Sequence, residues 1–343
     1  MIRLPIKRII LYVFGLVLLS TLVSAWVLGD FLLQPARKGG GNQVVIIMEG
    51  LSMKHVAEEL ERREILAGKT LFILWARVMG YGRKIKAGEY ELSAGMTPIQ
   101  ILDKLTKGRI MTHPVTLPEG LTRMQIADLL SEKGLVGRRA FLSLTEDAGI
   151  IKKYGLSGRN LEGFLYPDTY QFARGLSPGT VIDVMIRRFL ELVAPLEEVL
   201  KQSGMSLEQV ITLASIVEKE TGLAMERPLI ASVFLNRLKR GMRLESDPTV
   251  IYGLSAFNGN LTRKDLRRLT PYNTYMIRGL PPGPIANPGI AAIKAVLYPA
   301  QTKYLYFVSK NDGSHHFSRT FTEHNRAVNY YQKKRGKIPP KTP

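Results

Sequence analysis

From Ile9 to Gly29 the chain passes through 21 consecutive positions without a charged side chain (IILYVFGLVLLSTLVSAWVLG). As a helix this run would extend about 31 Å, the thickness of a bilayer's hydrocarbon core. Such a segment commits one end of the chain to a membrane, so any chemistry in water must come from the residues after it. Arg3, Lys7 and Arg8 precede the run, Asp30 follows at once, and Arg37 and Lys38 come later. That modest asymmetry favours a cytoplasmic N-terminus (1–8) and an exported body, a single pass through the cytoplasmic (inner) membrane with the body on the periplasmic or outer side. The competing reading is a cleaved signal peptide, for which Val23-Ser24-Ala25 would serve as the cleavage site. A signal h-region is about 7–15 residues, shorter than this run, which favours a retained anchor over 9–29. Lys38 to Asn42 (KGGGN) has the composition of a flexible tether and closes the segment 30–42.

Charge and composition narrow what the exported body can be. The 343 residues include no cysteine, which excludes a disulfide scaffold, a thiolate metal site and a cysteine nucleophile. His315, His316 and His324 lack an H-E-x-x-H helix or an i,i+4 pair, and there is no Walker loop, so neither metal nor cofactor is expected. From Ala231 to Pro343 there are 19 basic residues against 5 acidic ones. Such a surface suits a polyanion: nucleic acid, acidic lipid or an acidic wall polymer. Export argues against nucleic acid, and no RNP, zinc-finger or helix-turn-helix pattern is present.

Past the tether the chain repeats a pattern. Val44 to Ser52 (VVIIMEGLS) precedes an amphipathic stretch carrying Val56, Ala57 and Leu60, and Val115 to Thr122 (VTLPEGLT) precedes one carrying Ile126, Ala127 and Leu130. Each reads as a strand, a Glu-Gly turn, a Ser/Thr N-cap and a short helix. Tyr90 to Pro98 (YELSAGMTP) likewise matches Tyr170 to Pro178 (YQFARGLSP), each ending with Pro at a first helical position after a Ser/Thr cap. Residues 44–108 and 114–190 therefore look like two versions of one small unit, the first of which resembles a LysM-like glycan-binding module.

Ser206-Leu207-Glu208-Gln209 is a capping box opening a helix to about Thr221, with Gly222 as its stop. At 100° per residue Leu207, Val210, Ile211, Ala214 and Val217 share one face, and Glu218 falls inside that arc. Glu220 lies at its edge, and Lys219 points away. A carboxylate on the buried side of its own helix must be ion-paired, protonated or open to a cleft. A protonated carboxyl is what a general acid near neutral pH requires; a structural ion pair is the plainer alternative. Arg237 projects from the apolar face formed by Leu229, Ile230, Val233, Phe234 and Leu238 of the next helix. It needs Glu218, Asp247 or an anionic substrate group as partner, unless it snorkels to the domain edge. Downstream, Thr270 to Tyr275 (TPYNTY) sets Asn273 between aromatic rings, a composition suited to sugars. Gly279 to Gly289 (GLPPGPIANPG) is a stiff turn that the strand-like Tyr304 to Val308 places within a domain.

Four stretches, LEGFLYPDTY (161–170), LASIVEKET (213–221), LESDPTVIYGL (244–254) and PYNTYMIRGLPPGPIANPG (271–289), together resemble the endolytic murein transglycosylase (YceG-like) family, in that family's order. YLYFVSKNDGSHHFSRTFTEHN (304–325) fits as well. The resemblance covers nearly the whole chain, from the anchor to about residue 332. It implies a single-pass membrane protein that cuts the β-1,4 bond between N-acetylmuramic acid and N-acetylglucosamine within peptidoglycan strands, beside penicillin-binding synthases. It places the family's catalytic glutamate on Glu218, with Arg237, Asp247, Tyr252, Tyr272, Asn273 and Tyr166 as substrate-binding or orienting candidates. The reaction implied is a lytic one, in which muramic acid's own 6-hydroxyl closes a 1,6-anhydro ring. Two alternatives stay open: a hydrolytic muramidase using Asp247 as second carboxylate, and a non-catalytic wall-binding anchor. The expected architecture is α+β: an anchor, a LysM-like unit (43–112), a catalytic domain (113–332, with 113–190 a second related unit and 191–332 its core) and a basic tail (333–343).

Overall fold

The computed structural model describes residues 6–82 and 84–333; Arg3 and the stretch 334–343 of the expected basic tail lie outside the described residues. Helix α1 (Ile6–Leu33) contains the uncharged run and continues past Asp30, because the first helix breaker is Pro35. Its Ile10–Leu33 stretch is long and apolar enough to cross a membrane, and Leu16, Leu19 and Trp26 are all exposed on it. A helix apolar all round belongs in a core or in lipid.

The described chain divides into two compact units, one running to His113 and including Gln171–Ser177, the other comprising Pro114–Tyr170 and the residues from Pro178 onward. In the first, β1 (Asn42–Ile47) leads through α2 (Met53–Arg62) and α3 (Lys69–Val78) to β2 (Gly88–Ser93) and α4 (Pro98–Lys107). The strands pair antiparallel from Asn42↔Ser93 to Ile47↔Gly88. Val45, Ile47, Leu60, Phe72, Tyr90, Leu92, Ile101 and Leu105 fill the core beneath them. Ser52 and Thr97 cap α2 and α4 as their sequences require, with Pro98 in the first turn.

The chain continues through β3 (His113–Thr116), α5 (Arg123–Glu132), α6 (Arg138–Thr145), α7 (Ala148–Lys153), β4 (Thr169–Phe172), α8 (Pro178–Val193) and α9 (Glu197–Ser203). Next come α10 (Leu207–Glu220), α11 (Arg227–Lys239), α12 (Asp247–Gly253), α13 (Arg263–Leu266) and α14 (Ile290–Leu297). A final antiparallel pair, β5 (Tyr306–Ser309) and β6 (His315–Ser318), precedes α15 (Phe321–Tyr331).

The internal repeat has a physical counterpart. Tyr90 on β2 and Tyr170 on β4 are both buried, and each hydroxyl donates to the carbonyl four residues earlier, of Lys86 and of Tyr166. The stretch 113–190 is nevertheless divided between the two units. Gly175 accepts from the Glu49 N–H at 3.0 Å, and the Glu49 carboxylate accepts from the Ser177 N–H at 2.9 Å, which fixes 171–177 to the first unit.

Helix α10 is the axis of the second unit. Every residue from Val210 to Val217 is buried, so the single apolar face expected for it is in fact a buried girdle. The Pro-rich loop preceding α14 packs on it, where the Ile285 N–H donates to Ser215 Oγ at 3.0 Å. The Ser206–Gln209 capping box is present. The helix stops at Glu220, with Thr221 extended, and Gly222 has a different use: a Cβ there would come within 2.6 Å of the Gly313 carbonyl.

Candidate active site

Glu218 lies in the last turn of α10 with its side chain only 7% exposed. One carboxylate oxygen pairs with Arg227 Nη2 at 3.0 Å, and the other accepts from the Gly289 N–H at 3.1 Å. Gly289 is the N-cap of α14, whose peptide dipoles place partial positive charge there. Arg227 opens α11 and reaches a second carboxylate, Glu119, through the same nitrogen at 3.4 Å. Glu119 presses so closely on Gly289 that a β-carbon at that position would overlap its carboxylate. Burial pushes the Glu119 carboxyl above its usual range, as does the charge of Glu218, against the pull of Arg227.

The loops around this pair are tied to one another. Lys219 Nζ donates to the Gly120 carbonyl at 3.3 Å. Asn287 exchanges backbone bonds with Gly120 and Leu121, and its amide donates to the Leu121 carbonyl at 2.9 Å and to Glu162 at 3.0 Å. Its side-chain oxygen accepts from the Leu165 N–H. Glu162, 1% exposed, also accepts from the Arg123 N–H at 2.8 Å and from the Tyr252 hydroxyl at 3.0 Å. Three sequence stretches thus meet at one carboxyl, and the loop that presents Gly289 is held by it.

The other residues expected at the site fall in different places. Arg237 is buried, but its partner is neither Glu218 nor Asp247. Its guanidinium donates to the carbonyls of Leu305 and Leu244 and pairs with Glu245 at 3.0 Å, which serves as an internal brace. Asn273 is fully buried, and its amide donates to the carbonyls of Leu266 and Arg268 in its own loop, so it is closed to a sugar hydroxyl. Asp247 is exposed and accepts from the Tyr275 hydroxyl at 2.7 Å. It adds negative charge beside the half-buried Glu220, which accepts from Ser246 Oγ. Tyr252 and Tyr272 meet edge to face at 4.8 Å beside Glu162. Tyr166 is buried; its hydroxyl is bonded at the Ile290 N–H and lies in the field of Glu119, so it belongs to the surroundings of Glu218.

Burial raises Glu162 to about 7 against its hydrogen bonds, and burial together with Asp247 raises Glu220 to about 7. Each folded carboxyl keeps its proton to higher pH than the unfolded chain does, from an ordinary 4.5. Their contribution to stability is therefore full below the unfolded value and lost as pH rises through the folded one. The loss is on the order of 3 kcal/mol each. Denaturant unfolding should show stability falling between about pH 5 and about pH 8, and Glu220→Gln should reduce that slope. A slope unchanged in the variant would remove Glu220 from the account.

A family model described as YceG-like matches residues 45–330. A Bacillus subtilis (strain 168) protein named endolytic murein transglycosylase is 33% identical over 328 residues, covering 90% of this chain and 90% of its own. A Streptococcus pneumoniae (strain D39) protein of the same name is 29% identical over 314 residues, and the match spans 82% of this chain but 57% of that protein. The crystal structure of a yceG-like protein from Listeria monocytogenes superposes with a TM-score of 0.59 at 35% identity, over 84% of this chain and 99% of that one.

Proposed function

The chain belongs to the YceG-like family, and from that premise we propose that it is a membrane-anchored endolytic lytic transglycosylase of peptidoglycan with Glu218 as its acid and base. The observation that carries the reading is a nearly buried carboxylate held at both oxygens by Arg227 and Gly289. A glycoside hydrolase needs one carboxyl to protonate the leaving oxygen and another to activate water or attack. The lytic reaction needs only the first. Glu218 gives its proton to the oxygen joining muramic acid C1 to the next sugar, and the C1–O bond breaks. The resulting carboxylate takes the proton of the muramic 6-hydroxyl as that oxygen bonds to C1, so Glu218 ends protonated as it began. A nucleophile carried by the substrate itself supplies its own effective concentration. Tyr166 lines the acid's surroundings, and the Tyr252–Tyr272 pair offers a ring surface for a sugar face.

In this reading α1 is a retained anchor in the cytoplasmic membrane with the body outside, supported by the length of its apolar run. The first unit is a LysM-like glycan binder, supported by its strand–helix–helix–strand order. The enzyme ends nascent strands beside penicillin-binding synthases, and the basic surplus after Ala231 faces anionic headgroups or wall polymer. Mass spectrometry of uncrosslinked strands digested by the full chain is the test. Muramyl ends one water lighter than reducing ends are expected. Reducing ends alone would favour a hydrolytic muramidase, and no fragments at all would favour a non-catalytic anchor.

A further inference from the structure

The Glu218 site holds a feature that a one-carboxylate reaction does not call for: a second carboxylate on the same guanidinium. Arg227 Nη2 stands 3.0 Å from Glu218 and 3.4 Å from Glu119, so three charges share one nitrogen. Glu119 is not there by accident of a flexible surface. It follows Pro118 in the turn whose Gly120 is bonded to Asn287 and Lys219, and it packs on Gly289, where only a glycine leaves room for it. An arginine alone beside Glu218 would favour the ionised carboxylate, which cannot donate a proton. Arginine itself does not give up its charge.

We infer that Glu119 is a positioning residue that acts on Glu218 through Arg227: its negative charge occupies the guanidinium, leaving Glu218 free to carry the proton that the reaction needs. The inference rests on the proposed function and deepens it. Among the described residues, other titratable groups at this site are Lys219, whose ammonium is turned to the Gly120 carbonyl, and Tyr166, whose hydroxyl is bonded at Ile290.

The experiment is the pH dependence of kcat for the full chain in detergent on uncrosslinked strands, comparing the parent with Glu119→Gln, Glu119→Asp and Arg227→Gln. Glu119→Gln leaves the guanidinium wholly to Glu218. The alkaline limb, where the acid has lost its proton, should then move to lower pH by about one unit, with kcat above neutrality down about tenfold and KM unchanged. Arg227→Gln removes the cation between two carboxylates and should move the same limb to higher pH. Glu119→Asp keeps the charge and should restore most of the parental profile. A purely structural contact would give no such opposed shifts. A Glu119→Gln profile superimposable on the parent's, or a rise in KM with an unmoved limb, would overturn the inference while leaving the proposed function standing. Activity retained in Glu218→Gln would instead overturn the function itself.

Discussion

Glu218→Gln is expected to lower turnover of uncrosslinked glycan strands by about a thousand-fold while leaving the protein folded. The amide keeps the shape of the carboxyl and can still meet Arg227 and the Gly289 N–H in part, but it holds no proton to donate and takes none back. Neither Asp247, occupied by Tyr275 beside Glu220, nor Glu162, enclosed by Asn287 and Tyr252, is bonded into the Glu218 site to substitute for it. Circular dichroism and a Tm close to the parent's establish that the loss is chemical. A Tm that fell with activity would point to a structural ion pair instead.

Glu162→Ala should have the largest effect on stability. It leaves the Arg123 N–H, the Asn287 amide and the Tyr252 hydroxyl facing a cavity without their shared acceptor. Each stranded buried donor costs about 1–3 kcal/mol, so a loss of about 5 kcal/mol is expected. For a unit of this size that corresponds to a Tm lower by about 10 °C or more. Activity should fall as well, since Asn287 ties down the loop that presents Gly289 to Glu218. Glu162→Gln, which keeps an acceptor oxygen, should recover much of the stability. Thermal unfolding of the three proteins settles it; an alanine variant within about 1 kcal/mol of the parent would mean that water replaces the carboxyl without penalty.

The burial of Glu218 was legible because the sequence states a contradiction: a charge at the period of an apolar helix face. Arg237 posed the same contradiction, yet its solution was not legible. The carbonyls of Leu244 and Leu305 that satisfy it belong to non-repetitive backbone, which no side-chain pattern reports. Asn273 shows the limit of composition, since an amide between aromatic rings serves a sugar or a loop's own carbonyls equally well. Glu119 and Arg227 lie 108 positions apart and only folding brings them together. The Leu117-Pro118-Glu119-Gly120 segment was readable as a turn, but its acid had no visible partner. The two strand-and-helix segments could be read from their caps and from the matching tyrosines. The assignment of 171–177 to the first unit depends on Glu49, more than a hundred positions earlier, and had no local signal.

The central claim is that Glu218 alone moves the proton while the substrate supplies the nucleophile. Digestion in ¹⁸O-labelled water, with muramyl ends resolved by mass spectrometry for the parent and for Glu218→Gln, tests it most directly. The parent should form anhydro ends carrying no label, and the variant should form none. Labelled reducing ends from the parent, or anhydro ends from the variant at the parental rate, would contradict the account.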